Sequence, residues 1–253
     1  MKTGTKYSGN KFWEDILFHD HEHSNVIPLA GPKFLWDARF PTSFTLTGDA
    51  VTEWFDLYNN KLLNQYFGPD LSKAPTYEVD GGIQTVHFNG VNNYLAIYPL
   101  AESSMNLTLF LVASNLQTNL ADDNGTITYG FFSDFGNLHM DYIAMNQIGT
   151  SIDDTQLGVV LAQPKQIMAL RISGDGTIAK LYQNGGSPAT TAIEIGGGLM
   201  YLQIGSYLGN NYLDGDVSWI AYYDSALSSD DMDTAFTYAG DAFGISVSPV
   251  DPL

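Results

Sequence analysis

The sequence predicts an all-β fold of the sandwich or barrel type, and three observations support this prediction. From Phe34 onward the chain is a series of short apolar segments separated by Gly, Asn and Asp. The stretches SGDGT at 173–177 and QNGGS at 183–187 are typical of tight hairpin turns, because Gly and Asn tolerate positive φ. The composition is 44% hydrophobic and 13% aromatic but only 15% charged, which favours strands. No repeat of fixed period is present, which argues against propellers and solenoids.

Residues 1–32 differ from the remainder and are interpreted as an N-terminal arm or docking segment. An amphipathic run, KFWEDILF, is followed by HDHEH and by VIPLAGP, whose prolines and glycine stop regular structure. We expect the apolar side chains of this arm to form an assembly contact; they are Phe12, Trp13, Ile16, Leu17 and Phe18. His19, His21 and His23 alternate, so an extended arm would present them together, as a zinc face or as a solvated, partner-contacting cluster.

The domain itself is expected to span residues 33–246, with residues 247–253 as a C-terminal tail. The length of 253 residues is compatible with one large sandwich. The predicted strands, in order, are Lys33 to Trp36, Ser43 to Thr47, Gln84 to Phe88, Tyr94 to Ile97, Asn106 to Ala113, Thr126 to Phe132, Leu138 to Ala144, Gly158 to Leu161, Ile167 to Ser173, Ile178 to Gln183, Ala192 to Ile195, Tyr201 to Ser206 and Asp216 to Tyr223.

One helix is predicted after the last strand. Ser228 can cap it, with Asp231 at the return position of a capping box and further acidic residues at the positive end of the helix dipole. One apolar face then follows, formed by Met232, Ala235, Phe236 and Ala239. The sequence predicts that Gly240 ends the helix and that the helix packs on the sandwich.

The charge balance excludes several classes of partner. Ten Lys and Arg residues stand against 28 Asp and Glu residues, a formal net charge of −18, so nucleic acid is not an expected partner. No segment approaches the ~20 apolar residues of a membrane helix, and no export signal is recognised, so we expect synthesis in a host cytoplasm without membrane insertion. The absence of cysteine excludes disulfides and thiolate metal sites.

Several motifs, taken in order, resemble the laminin-G-like branch of the concanavalin A-like lectin/glucanase superfamily. They include VTEWFD (51–56), VHFNG (86–90), NLTLFLVA (106–113), LYQNG (181–185) and DGDVSWIAYYDSALSSDD (214–231), and the match spans roughly residues 34–244. The resemblance implies a two-sheet antiparallel jelly-roll sandwich. Members bind glycans or proteins, and occur appended to secreted enzymes and as parts of bacteriophage particles. Trp219 stands where many relatives carry an acidic residue, which predicts a more buried last strand here.

The sequence nominates no catalytic residue. Glucanases of the superfamily carry E-x-D-x-x-E, since retaining hydrolysis needs two carboxylates about 5 Å apart. The nearest string, EVDGGI, has Glu78 and Asp80 but Ile83 in place of the second Glu, and is interpreted as a structural or solvated loop. In VTEWFD, Glu53 and Asp56 are a second candidate pair of carboxylates in a turn-like context, and they are likewise interpreted as structural. Trp54 and Phe55 are expected to plug the sandwich from a loop, where Asp56 accepts backbone N–H bonds.

Two kinds of ligand site remain as candidates. Calcium is a candidate cofactor, because acidic loops can supply oxygen ligands; the residues are Asp122, Asp123, Asp153 and Asp154, with Asp214 and Asp216 as further candidates. The alternative is that these loops are only solvated. Glycan recognition uses aromatic and amide side chains on loops, which nominates Tyr207, Asn210, Asn211 and Tyr212; the alternative for them is a polar hairpin tip.

These observations lead to the hypothesis of a non-enzymatic virion surface protein, such as a head fibre, decoration or tail-surface component of a bacteriophage. The lectin-like domain would contact host-surface polysaccharide, and the arm would dock to other virion proteins. A homo-oligomer, such as a trimer, would suit a head fibre. Two alternatives stay open: a glycan hydrolase or lyase that uses the concave sheet face, and an adhesion module of a bacterial surface protein.

Overall fold

The structure is a computed structural model. It describes residues 31–65, 70–97, 104, 106–116, 130–133, 139–142, 147–152, 155–160, 165–174, 176–192, 202–205 and 212–252. Its strands are β1 (Phe34–Asp37), β2 (Phe44–Thr47), β3 (Ala50–Phe55), β4 (Leu62–Asn64), β5 (Thr76–Asp80), β6 (Ile83–Asn89), β7 (Leu95–Ile97), β8 (Leu107–Ser114), β9 (Gly130–Ser133), β10 (His139–Tyr142), β11 (Gln147–Ile152), β12 (Thr155–Val160), β13 (Lys165–Ser173), β14 (Ile178–Gln183), β15 (Ala189–Ala192), β16 (Leu202–Ile204) and β17 (Asp214–Tyr223). Two 3-10 turns, Pro41–Ser43 and Leu71–Lys73, and one helix, α1 (Ser229–Phe243), complete the described elements.

The strands pair antiparallel throughout. The longest run of pairings follows the order β15-β14-β13-β8-β17-β6-β5-β3-β4-β7-β16, with β1 beside β17 and β2 beside β3. This run changes layer where β5 meets β3 through a single pair, Ala50 with Thr76. Strands β9 to β12 form a second run in the order β12-β11-β10-β9. The predicted fold class is confirmed: the protein is an all-β jelly-roll sandwich with a short C-terminal helix.

The core lies between the two layers, and the central strand β8 shows how it is built. Its residues alternate across the sheet with period two. Leu109 and Leu111 point into the cluster between the layers, together with Trp54 of the opposite layer. Phe110 and Val112 point to the other face and pack under α1. Because both faces are covered, every residue of β8 is buried, as expected for a central strand.

Helix α1 closes the outer face of the sheet. Ser228 is the N-cap, as predicted, and accepts a hydrogen bond from the Asp231 backbone N–H at 3.2 Å. Phe236 packs edge to face on Phe110, with ring centroids 5.2 Å apart. The predicted end at Gly240 is wrong: the helix continues to Phe243 and ends at Gly244, which has the positive φ of 66° typical of this cap. No helix within the described ranges is long and apolar enough to cross a bilayer.

Other sequence-based boundaries also need correction. Strands β3, β4, β5 and β11 were not predicted, and Trp54 lies within β3 rather than in a loop. The string EVDGGI forms the end of β5 and a hairpin into β6 rather than a loop alone. Strand β15 ends at Ala192, where the prediction began its strand; residues 193–195 lie outside the described ranges. Trp219 is fully buried, as its position in the last strand suggested.

The last described residues pack on the domain. Ser248 forms a parallel bridge with Gly185 at the β14–β15 turn, and its N–H donates to the Asn184 carbonyl at 2.9 Å. Val250 is buried, and its N–H donates to the Asp233 carboxylate of α1 at 2.5 Å. The chain end therefore joins a hairpin turn to the helix.

Candidate functional site

Three backbone segments converge at one end of the sandwich; we call the surface formed by residues 70–74, 89–94 and 212–213 the rim. Asn92 Nδ2 donates to the Ser72 carbonyl and Asn93 Nδ2 to the Ala74 carbonyl, both at 3.0 Å, so the first two segments are joined. Gly90 N–H donates to the Leu213 carbonyl at 2.7 Å, which joins the third. The third segment is far from the other two in the chain, and the hydrogen bonds fix all three relative to the strands that they adjoin.

Local sequence explains the shape of each rim segment. Asp70 caps the 3-10 turn by accepting the Ser72 N–H at 3.1 Å. Asn89 Oδ1 accepts the N–H groups of Val91 and Asn92 at 2.9 and 3.1 Å, so one side chain organises the β6–β7 turn. Gly90 takes a positive φ of 69° there. The rim asparagines are therefore occupied in holding the backbone.

The rim brings two tyrosines together with one carboxylate and one ammonium group. Tyr94 and Tyr212 are half-buried, and Asp70 forms an ion pair with Lys73 at 3.5 Å. Burial raises the pKa of the Tyr94 hydroxyl; Lys73 lowers it, while Tyr212 and Asp70 raise it. Hydrogen bonds from Ser72 lower the pKa of the Asp70 carboxyl. Lys73, Tyr212 and Asp70 are thus each close enough to act on Tyr94, and we call these four side chains the rim site.

The rim also carries two of the exposed apolar side chains in the described residues. Leu71 is 51% exposed and Val91 is 66% exposed, one on each side of the hydrogen bonds that join their segments. Together with the tyrosine rings they give the rim an apolar surface edged by polar groups. Such a combination suits a ligand that has both apolar faces and hydroxyl groups.

A second polar group lies on the outer face of β5, β6 and β17; we call Asp80, His87, Asn115 and Asp216 the outer-face cluster. His87 Nδ1 is 2.9 Å from Asp216 Oδ1. Asn115 Nδ2 donates to Asp216 at 2.6 Å and to Asp80 at 2.9 Å. The hydrogen bond to Asp216 is the main cause that raises the pKa of His87, with burial opposing it and nearby carboxylates assisting. This cluster ties the end of β8 to its neighbouring strands.

The structure places the sequence-predicted site residues unequally. Of the glycan candidates, Tyr212 lies in the rim site, while Tyr207, Asn210 and Asn211 lie outside the described residues. The calcium candidates Asp122, Asp123, Asp153 and Asp154 also lie outside them, as do Phe12, Trp13, Ile16, Leu17 and Phe18 of the arm and His19, His21 and His23. Asp216 is engaged by His87 and Asn115, and within the described ranges no three His, Asp or Glu side chains are placed to hold a metal ion.

The carboxylates considered for catalysis have structural surroundings. Asp56 is fully buried and accepts backbone N–H bonds from Leu35 and Asn59, both at 2.5 Å, which confirms its predicted role. Burial raises its pKa, and these backbone donors oppose the shift. Glu53 accepts the Thr45 hydroxyl at 2.6 Å. Glu78 is exposed on β5 and accepts the Thr76 hydroxyl at 2.8 Å.

Sequence reasoning missed three members of the rim site: Asp70, Lys73 and Tyr94. A local signal existed, since PDLSK and NGVNN are both turn sequences with capping side chains. These residues are brought to Tyr212 by the hydrogen bond between Gly90 and Leu213. That contact links positions more than a hundred residues apart, so the local sequence does not show it.

Neither a protein-family model nor a curated protein sequence matches the chain. Solved structures resemble it. Trypanosoma rangeli sialidase is 14% identical with a TM-score of 0.59, over 86% of this chain and 34% of that chain. The complex of this sialidase with the inhibitor DANA is 17% identical with a TM-score of 0.58, over 83% of this chain and 33% of that chain. A third similar structure is domain 4 of AbnA, an extracellular arabinanase from Geobacillus stearothermophilus, in complex with arabinotriose. It is 12% identical with a TM-score of 0.54, over 81% of this chain and 98% of that chain. The chain spans about a third of the length of the sialidases, and identities this low show a shared β-sandwich fold, consistent with the concanavalin A-like architecture.

Proposed function

We propose that this protein is a non-catalytic glycan-binding domain and that the rim site makes the contact. The observation that carries the proposal is the convergence of three backbone segments, which brings Tyr94 close to Tyr212, Asp70 and Lys73. The domain of AbnA with a similar fold was solved with arabinotriose, which supports a carbohydrate ligand. The stretch that precedes Tyr212 in sequence, SYLGNN at 206–211, contains Tyr207 and two asparagines.

The chemistry of the rim fits a sugar. A sugar ring presents C–H groups on its faces and hydroxyls at its edge, so aromatic side chains cover the faces while polar groups bind the hydroxyls. In the rim site the tyrosines provide the rings, Asp70 provides acceptor oxygens and Lys73 provides donors. The asparagine side chains hold the backbone, so the site is formed before a ligand arrives, which reduces the entropy lost on binding.

The proposal excludes hydrolysis as the main activity. A glycosidase needs two carboxylates on either side of the bond that is cleaved. Across β3, β4, β7 and β16 one register row lies on the face opposite the core, and its residues are Glu53, Asn64, Ala96 and Gln203. This row carries one carboxylate. Ile83 pairs with Asp80 across the hairpin where a second Glu would stand.

Alanine substitution at the rim tests the binding proposal. On a glycan array followed by calorimetry, Tyr94→Ala and Tyr212→Ala should each weaken binding about ten-fold, a loss of roughly 1.4 kcal/mol. The matched control is Tyr58→Ala. Tyr58 is 43% exposed and lies near Tyr223, at the far end of β17. A strand of this length separates the two tyrosine groups by about 30 Å.

Two results would contradict the proposal. Equal binding by the rim variants and by Tyr58→Ala would place the ligand elsewhere. Release of oligosaccharides from β-glucans or bacterial polysaccharides by the wild-type protein would establish an enzyme instead.

We further propose that the domain acts on the surface of a bacteriophage particle, docked through residues 12–18. The laminin-G-like resemblance of the sequence supports this placement, as does a net charge of −18, which suits a solvated outer surface. Mass spectrometry of purified particles should detect the chain, and antibodies against the domain should label intact particles. Particles that lack the chain would remove this part of the proposal and leave glycan binding standing.

A further inference from the structure

The cations of this chain are few, and their positions restrict what the rim can bind. The sequence has ten Lys and Arg residues, and those beyond residue 30 are Lys33, Arg39, Lys61, Lys73, Lys165, Arg171 and Lys180. We infer that the glycan bound at the rim site is neutral, and that glycans carrying carboxylate or sulfate groups are rejected. This inference rests on the proposed function and names its ligand class.

Neither arginine belongs to the rim, and each makes contacts elsewhere in the fold. Recognition of a carboxylate or sulfate commonly uses a guanidinium group in two parallel hydrogen bonds. Arg39 makes such a pair with buried Asp37, through Nε at 3.0 Å and Nη2 at 2.5 Å, and its guanidinium lies 4.6 Å from the ring centroid of Phe243. Arg171 Nε donates to the Leu227 carbonyl at 2.7 Å, beside the start of α1.

The one cation at the rim is already neutralised. Lys73 Nζ lies 3.5 Å from Asp70 Oδ2. The stretches next to the rim in sequence, YFGP at 66–69, YPLAES at 98–103 and SYLGNN at 206–211, contain no Lys, Arg or His. Asp214 follows the third rim segment directly. The charges of the described rim residues, one carboxylate and one ammonium group, cancel, and the whole chain has a formal net charge of −18, so the field of the chain would repel an anionic ligand.

A neutral glycan matches the groups that are present. Carboxylate oxygens are acceptors only, and sugar hydroxyls are donors, so Asp70 can bind a neutral sugar without a charge partner on the ligand. The rings of Tyr94 and Tyr212 cover apolar sugar faces whatever the ligand charge. Selection against acidic sugars then comes from repulsion and from the absence of an arginine among the described rim residues.

Paired glycans test the inference on the full-length protein. Each pair is identical except for its acidic group, for example an oligosaccharide with and without terminal sialic acid, or a neutral polysaccharide and its uronic acid counterpart. At 20 mM salt the neutral member should bind about ten-fold or more tightly than the acidic member, and the gap should narrow at 300 mM salt because the repulsion is screened. Equal or tighter binding of the acidic member, weakening with salt, would overturn the inference while leaving glycan binding intact. No binding to either member would refute the proposed function, and the inference with it.

A variant adds a positive test. In Asp70→Asn the amide oxygen still caps the 3-10 turn, since Asn and Asp are equivalent N-caps, but Lys73 loses its charge partner. Affinity for acidic glycans should rise several-fold relative to their neutral partners. An unchanged ratio would show that the Asp70–Lys73 pair does not set the selectivity.

Discussion

Gly205 packs against residues that carry the rim, so its replacement tests the packing beneath the rim site. Gly205 follows β16 with a φ of +90°, and its carbonyl accepts the Leu213 N–H at 2.9 Å. A Cβ atom there would lie 2.2 Å from Phe88 Cδ1 and 2.8 Å from the Asn93 carbonyl oxygen. Phe88 is fully buried and cannot turn away. Gly205→Ala therefore forces the backbone of the rim to shift.

The expected loss of stability in Gly205→Ala follows from comparison with Gly48, which lies in the β2–β3 turn. Gly48 also has positive φ, +64°, but a Cβ there would meet nothing within 4 Å. Gly48→Ala should therefore cost only the conformational strain, about 1 kcal/mol. Gly205→Ala carries similar strain plus an overpacking cost of about 1–3 kcal/mol, so about 3 kcal/mol in total is expected.

Urea denaturation followed by circular dichroism measures both variants at one pH. The midpoint should fall much further for Gly205→Ala, with an unchanged slope. Glycan affinity should also fall for this variant and stay unchanged for Gly48→Ala. Equal losses of stability in the two variants would refute the packing at the rim and the support that it gives to the site.

Three other substitutions separate structural charges from exposed ones. Asp56→Asn leaves a buried backbone N–H without an acceptor and should lower the free energy of unfolding, measured by urea denaturation, by about 2 kcal/mol. The control Asp49→Asn, at an exposed position, should lower it by less than about 0.5 kcal/mol. Equal effects would contradict the backbone hydrogen bonds assigned to Asp56. Arg39→Met leaves the buried carboxylate of Asp37 without its charge partner and should lower the free energy of unfolding by about 3–5 kcal/mol. Lys33→Met breaks an exposed ion pair and should lower it by at most about 1 kcal/mol. Since the pKa of His87 is raised in the fold, its contribution is complete below the unfolded pKa and fades as pH rises through the folded value. His87→Gln should thus lose more stability at pH 5.5 than at pH 8.5, by less than about 1 kcal/mol; a loss that grows with pH would contradict this sign.

The parts of the fold that could be predicted are those with a strong local pattern. NLTLFLVA alternates with period two and is apolar on both faces, so β8 was predicted to within one residue at each end. Helix α1 has a cap, an acidic first turn and an apolar face in sequence, and only its end was misplaced. At Gly240 a Cβ would lie 2.8 Å from the Ile245 carbonyl oxygen, so this glycine serves close packing rather than termination.

The strands that were missed depend on contacts that the sequence does not display. β3, AVTEWF, shows no clean alternation, because a register shift between Thr45 and Leu46 of its partner β2 changes the pattern. β4 has three residues and is fixed by β3 and β7. The rim site was missed for the same reason, since the segments that carry Tyr94 and Tyr212 are joined only when β6 and β17 have paired.

The packing of the central strands bears on where the proposed ligand could bind. A glucanase-like protein would use a sheet face, yet β8 is buried on both sides, by the sandwich core and by α1. Along β17 the outer face passes from Trp219 under the helix to Asp216, whose oxygens are taken by His87 and Asn115. Within the described residues, this part of the face is therefore covered by the helix and by the outer-face cluster. This is a further reason to propose that binding occurs at the turns at the strand ends, which are held by asparagines and carry Tyr94 and Tyr212.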